Sequence, residues 1–98
     1  MIEPERSSTL DVRRRKLRFR SWHRGIRETD LIMGRFADAC LNDLSEAELD
    51  DYERLLDVQD QDLFAWVTGE QTVPAEYDMP AFRKLSAFHG RAPKRGSV

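Results

Sequence analysis

Cysteine, histidine, glycine and proline are all scarce in this chain, and each scarcity closes off a class of protein. The single cysteine, Cys40, cannot form an internal disulfide. It stands among Phe36, Ala37, Ala39 and Leu41, which reads as a buried, inert thiol in a reducing compartment. The two histidines, His23 and His89, have no cysteine at metal-ligand spacing, so no zinc site is expected. Five glycines and four prolines are too dispersed to build a phosphate-cradling loop, and no nucleophile motif is present. No apolar run approaches the roughly 20 residues that cross a bilayer. The amino terminus lacks the apolar centre of a secretory signal. It is rich in Arg and Ser, as mitochondrial transit peptides are, but Glu3, Glu5 and Asp11 argue for a bacterial cytoplasm over the mitochondrial matrix.

The 98 residues suffice for one small domain, and a hydrophobic fraction of 40% can furnish its core. The net charge of −2 conceals a strong asymmetry. Residues 13–27 hold eight of the sixteen basic side chains: Arg13, Arg14, Arg15, Lys16, Arg18, Arg20, Arg24 and Arg27. From Asp30 to Asp78 there are fourteen acids against only Arg35 and Arg54. Such a division bears on which surfaces attract which partners rather than on fold.

Periodicity and capping signals predict an all-α bundle of about five short helices. Residues 1–8 read as a disordered leader and 91–98 as a disordered basic tail, around one helical domain at 9–90. The first helix is expected from Leu10 to His23, capped by Ser8 or Thr9, with Leu10, Leu17, Phe19 and Trp22 on its buried side and Trp22 in the core. The second should run from Ile26 or Arg27 to Asn42. It carries two apolar rows, Ile32, Phe36, Ala39 and Cys40 beside Met33, Ala37 and Leu41, with Gly34 marking a close helix crossing. Ser45-Glu46-Ala47-Glu48 has capping-box spacing and opens a third helix that buries Leu49, Tyr52, Leu55 and Leu56. Its Asp50, Asp51, Glu53 and Arg54 are expected to face water. Asp60 or Asp62 caps a shorter helix ended by Gly69. Asp78 and Pro80 start the last helix, which Gly90 ends.

The stretch from Trp22 to Asp30 concentrates the functional signals. Gly25 interrupts a helix-forming run, at roughly 1 kcal/mol relative to alanine, so a turn or a close backbone approach is expected there. That places Arg24, Arg27 and Glu28 on a corner of the molecule. Elsewhere the carboxylates lie on solvated faces, and a bundle this small lacks the volume for a deep pocket, so no enzyme is expected. The basic run Arg13 to Arg20, with interleaved Leu17 and Phe19, supports an alternative: a helical module that binds RNA or DNA. The acidic body opposes it. A third possibility, a basic helix resting on anionic lipid, has too thin an apolar stripe.

Trp22-His23-Arg24-Gly25-Ile26-Arg27-Glu28-Thr29-Asp30 contains the pattern Arg-Gly-x-x-Glu and resembles the SdhE family of flavinylation assembly factors for succinate dehydrogenase. Gly34-Arg35-Phe36, Leu44-Ser45, Tyr52-Glu53-Arg54-Leu55-Leu56 and Asp60-x-Asp62-Leu63-Phe64-x-Trp66 extend the resemblance, which covers about Arg15 to Phe88. It implies a five-helix protein that binds the flavoprotein subunit of succinate dehydrogenase, with fumarate reductase as a candidate second client. It further implies that this protein promotes covalent attachment of FAD to the flavoprotein. The flavin-bonding histidine and the FAD then belong to the partner. The factor holds no stable cofactor, supplies no catalytic side chain and does not insert into membrane. By position, the resemblance places Arg24, Gly25 and Glu28 at the contact surface, with His23, Arg27 and Asp30 around them.

Overall fold

The computed structural model describes the backbone of residues 5–91 and the side chains from residue 9 onward. Five α-helices follow one another: α1 (Glu5–Trp22), α2 (Arg27–Cys40), α3 (Glu46–Leu56), α4 (Asp60–Thr68) and α5 (Pro80–Arg91). Single 3₁₀ turns at Leu41–Asp43 and Ala75–Tyr77 link them, and no strand occurs among the described residues. The all-α reading of the sequence is therefore met in class and in number of helices.

Several boundaries differ from expectation. The helix α1 already includes residues 5–8, so Ser8 and Thr9 lie within it instead of capping it. The first four residues of the expected leader, and the tail beyond Arg91, lie outside the described residues. Gly90 is inside α5 and does not end it. Gln59, not an aspartate, precedes α4, and no side chain caps that helix. Gly69 does terminate α4, at the left-handed φ of 86° that glycine adopts without strain.

The capping box at α3 forms as its spacing requires. The Glu48 amide donates to the Ser45 hydroxyl at 3.1 Å, and the Ser45 amide donates to the Glu48 carboxylate at 3.0 Å. A hydrogen bond from Lys84, ahead of the one from the Ser45 amide, holds the Glu48 carboxyl below its ordinary range.

The helix α2 is central. Its Met33, Phe36 and Ala37, with Leu41 just beyond, are fully buried against Leu49, Tyr52 and Leu55 of α3 and Leu85 of α5. Ile32 and Cys40 pack only at the edge of this core and Ala39 is exposed, so the Met33, Ala37 and Leu41 row is buried throughout while the other row fully buries only Phe36. Cys40, expected to be buried, is half-buried at the edge of the core, and this burial, ahead of the nearby Asp43 charge, raises its thiol above the usual range.

Tyr52 carries polarity into the core. Its hydroxyl sits 2.7 Å from Ser21 Oγ and 3.3 Å from the Met33 carbonyl oxygen, while Ser21 donates to the Leu17 carbonyl at 2.7 Å. One ring thus ties α3 to both α1 and α2. Burial pushes the Tyr52 phenol well above the usual tyrosine value of about 10, more than the Ser21 hydrogen bond draws it down. Stability owed to this group is complete below about pH 10 and declines above it, because the unfolded chain releases the proton first. Replacing Tyr52 by Phe should lower stability by about 1 kcal/mol at neutral pH and flatten the decline above pH 10. Urea midpoints at pH 7 and pH 10.5 check both.

Candidate functional site

The corner between α1 and α2 is built by one glycine and locked by one arginine. The amide of His23 closes the end of α1 on the Arg20 carbonyl at 3.3 Å. The backbone then turns through Gly25 at φ 134°, where a side chain is strained whatever space surrounds it. Ile26 returns to an extended conformation, φ −124° and ψ 147°, and α2 begins. Asp30 Oδ1 reaches back from the first turn of α2 and accepts the amides of Arg24 at 2.6 Å and Gly25 at 3.3 Å. The negative charge also suits the positive end of the α2 dipole.

Arg24, expected on the contact surface, instead turns its guanidinium inward, where the side chain is only 7% exposed. Its Nε donates to Asp60 Oδ1 at 2.6 Å and its Nη1 to the Leu56 carbonyl at 2.6 Å, while Nη2 donates to the Val58 carbonyl. The fully buried Thr29 adds its hydroxyl to the same Asp60 oxygen at 2.9 Å. The planar, forked guanidinium can serve three acceptors at once, which an ammonium on a flexible stem cannot match. Asp60 is therefore neither a helix cap nor a solvated acid. It joins the start of α4 to the bend that precedes α2. Asp30 likewise acts within the corner, as the acceptor for its amides.

What the corner displays is the remainder of the expected set. His23, Gly25, Ile26, Arg27 and Glu28 are exposed. Among the described residues, neither Arg27 nor Glu28 has a side-chain hydrogen bond or ion pair. The His23 ring stacks on Phe19 at a centroid distance of 4.0 Å, and its Nδ1 lies 2.7 Å from the Phe19 carbonyl oxygen. Phe19 was expected on the buried side of α1, yet it is 63% exposed. Trp22, expected in the core, is half-buried across Gly34, and its indole N–H donates to Asp38 at 3.3 Å. Gly34 thus marks the helix crossing its position suggested. Phe64 and Trp66 are both half-buried, and Trp66 lies against Tyr77 at 5.3 Å.

The basic run that favoured nucleic acid is largely engaged within the fold. Arg13 bridges Asp50 at 2.6 Å and Glu53 at 3.1 Å. Arg20 reaches Asp57 at 2.8 Å and Arg18 reaches Asp38 at 3.4 Å. Arg14 donates to the Leu44 carbonyl at 3.2 Å. Of the α3 charges expected to face water, Asp50 and Arg54 are exposed while Asp51 and Glu53 are half-buried, and the pairs that Asp50 and Glu53 make with α1 partly neutralise the charge asymmetry of the sequence at the surface. Arg15, Lys16 and Arg27 are the cations of the run with no internal partner among the described residues. Sequence reasoning missed Thr29 and the true role of Asp60. The Asp60-x-Asp62-Leu63-Phe64-x-Trp66 pattern was the available signal, but its link to residues more than 30 positions away is invisible to spacing.

A family model described as the flavinator of succinate dehydrogenase matches residues 15–89, and so takes in the corner, the Arg24 lock and all of α2 to α4. The chain belongs to this family. Among similar proteins, one of Scheffersomyces stipitis named succinate dehydrogenase assembly factor 2, mitochondrial, is 48% identical over 65 residues, 66% of this chain and 44% of its own length. The FAD assembly factor SdhE of Acetobacter pasteurianus is 38% identical over 76 residues, 78% of this chain and 70% of its own. A Dictyostelium discoideum protein, again named succinate dehydrogenase assembly factor 2, mitochondrial, is 38% identical over 82 residues, 84% of this chain and 57% of its own. The chain spans about half the length of these two mitochondrial relatives. No solved structure matches it. Among the described residues no helix is long and apolar enough to cross a membrane, and no cluster of His, Cys, Asp and Glu is placed to hold a metal ion.

Proposed function

We propose that this chain docks on the immature flavoprotein subunit of succinate dehydrogenase, loaded with non-covalent FAD, and promotes covalent attachment of that flavin. Membership of the flavinator family supports the choice of partner. The observation that carries the choice of surface is the exposed corner, with Gly25 and Glu28 turned outward on a bend that Arg24 fixes from beneath. Gly25 lets partner backbone approach closely, and Glu28 and Arg27 offer charged hydrogen bonds that no other described residue claims.

The chemistry then belongs to the partner. The factor binds best the arrangement in which the partner's histidine meets the 8α-methyl carbon of the flavin, and it shifts the population toward that arrangement only by this difference in affinity. Positioning reacting groups lowers a barrier without any new reactive side chain. FAD is accordingly a ligand of the partner, and the factor leaves once the bond has formed. Fumarate reductase flavoprotein is a second candidate client. The compartment we infer is the bacterial cytoplasm, a reading supported by a bacterial relative named FAD assembly factor SdhE; the relatives named as mitochondrial make the matrix the alternative.

Titrating FAD-loaded flavoprotein with the chain and with its Glu28→Ala variant tests the assignment. A charged hydrogen bond of about 1.5–3 kcal/mol corresponds to roughly tenfold to a hundredfold weaker binding. Helicity and melting should not change, because Glu28 has no internal partner among the described residues. Equal affinity for the two proteins would remove Glu28 from the contact surface.

A further inference from the structure

The large hydrophobic side chains that stay exposed among the described residues are Val12 at 40%, Phe19 at 63% and Ile26 at 41%. They stand seven positions apart, on α1 and its exit, while α3, α4 and α5 keep theirs wholly or partly covered. Seven residues is just under two helical turns, so Val12 and Phe19 share one face of α1 about 10 Å apart. Arg15 and Lys16 lie three and four residues beyond Val12, on that same face, and both are exposed. Arg13, Arg14, Arg18 and Arg20 are held by Asp50, Leu44, Asp38 and Asp57, whereas these two cations have no partner among the described residues. The stacked ring of His23 carries the stripe from Phe19 to the corner. Single exposed apolar residues are ordinary, but two on one helix face, a third at the exit of that helix, and two cations with no partner among the described residues form a patch.

We propose that the outer face of α1, from Val12 through Phe19 to Ile26, is a second docking surface continuous with the Gly25–Glu28 corner. Its occupant is a stretch of the flavoprotein that presents apolar side chains among carboxylates. The assignment rests on the function proposed above and names a part of the partner's chemistry that the corner alone does not. Charge complementarity selects the occupant: Arg15, Lys16 and Arg27 leave three positive charges around an apolar line. Three cations and three apolar side chains are few for a nucleic-acid backbone and thin for a lipid surface, but they match one acidic amphipathic segment. The apolar line should set how long the complex lasts, and the cations how fast it forms.

Four proteins separate the outcomes: the full chain, Phe19→Ser, the double variant Arg15→Glu/Lys16→Glu, and Glu28→Ala. Each is titrated against FAD-loaded flavoprotein at low and physiological salt, with circular dichroism and melting as controls. Phe19→Ser should weaken binding roughly tenfold, chiefly through faster dissociation. The double charge reversal should slow association several-fold, with the difference shrinking as salt rises. Melting should not move in either, since Phe19 is largely exposed and the two cations have no partner among the described residues. If Glu28→Ala weakens binding while Phe19→Ser and the double reversal stay within twofold of the full chain, the stripe is not a docking surface and the corner stands alone. If the full chain does not bind the flavoprotein, the function beneath it falls, and the stripe with it. Retention on heparin or on phosphatidylserine vesicles that the double reversal abolishes, with flavoprotein binding unmoved, also overturns the proposal.

Discussion

Replacing Arg24 by alanine should lower the stability of the fold by about 3 kcal/mol, a large part of the 5–15 kcal/mol that holds a small domain together. The change strips Asp60 of its cation and leaves the Leu56 and Val58 carbonyls without the guanidinium. Breaking a fully buried pair commonly costs about 3–5 kcal/mol. The Asp60 side chain is 21% exposed, so water recovers some of its solvation and the lower end applies. A melting temperature reduced by on the order of 15 °C follows for a chain this size. Arg24→Lys keeps the charge but cannot reach Asp60 and two carbonyls together, so it should restore only part of the loss. Melting curves of the three proteins decide the matter. If Arg24→Ala melted like the parent, the inward network would have no energetic weight, and Arg24 would return to the surface set. In the Arg-Gly-x-x-Glu pattern, then, the arginine holds the corner, and the proposed function gives the contact with the partner to the glutamate. Substitution of the first should destabilise the protein, and substitution of the second should not.

Gly34→Ala should destabilise the bundle by about 1–2 kcal/mol, against the sign of helix propensity. In an unconstrained helix interior, alanine is favoured over glycine by roughly 1 kcal/mol. Here a Cβ at position 34 would overlap the ring of Trp22, and the nearest atoms belong to a ring packed across a helix crossing. Either the indole swings away and loses its bond to Asp38, or α1 and α2 move apart. Overpacking of this kind costs about 1–3 kcal/mol, of which the propensity gain offsets a part. Urea midpoints and the Trp22 contribution to fluorescence test it together: lower stability with a red-shifted emission is expected. A rise in stability would show that the two helices do not meet closely at this glycine. Because the α1–α2 crossing also sets the direction in which the corner points, the same substitution should weaken flavoprotein binding.

The features legible in the sequence were those governed by neighbours along the chain. Ser45 and Glu48 are three residues apart and satisfy each other's amides, so spacing alone predicted them. Gly69 and the α2 row of Met33, Ala37 and Leu41 were readable for the same reason. The errors arose where a partner is distant. The turn at Gly25 and the family resemblance place Arg24 on the contact surface, yet Asp60, Leu56 and Val58, all more than 30 positions away, draw it in. The arginines of α1 suggested a nucleic-acid face until Asp38, Asp50, Glu53 and Asp57 were found opposite them. Phe19 is expected on the buried side of α1 from its chemistry, and its exposure follows from α1 burying Leu17 and Ser21 on another side. The corner itself was legible in Gly25, whose positive φ only glycine adopts readily, whereas the means by which it is held was not.

The most direct test of the docking corner is covalent flavin in the partner. The host succinate dehydrogenase flavoprotein is resolved on a denaturing gel and its flavin fluorescence read from cells that carry only the parent chain or only Glu28→Ala, with abundance and melting of the two variants matched. A folded Glu28→Ala protein with strongly reduced fluorescence is the expected result. Undiminished covalent flavin in those cells would contradict the account.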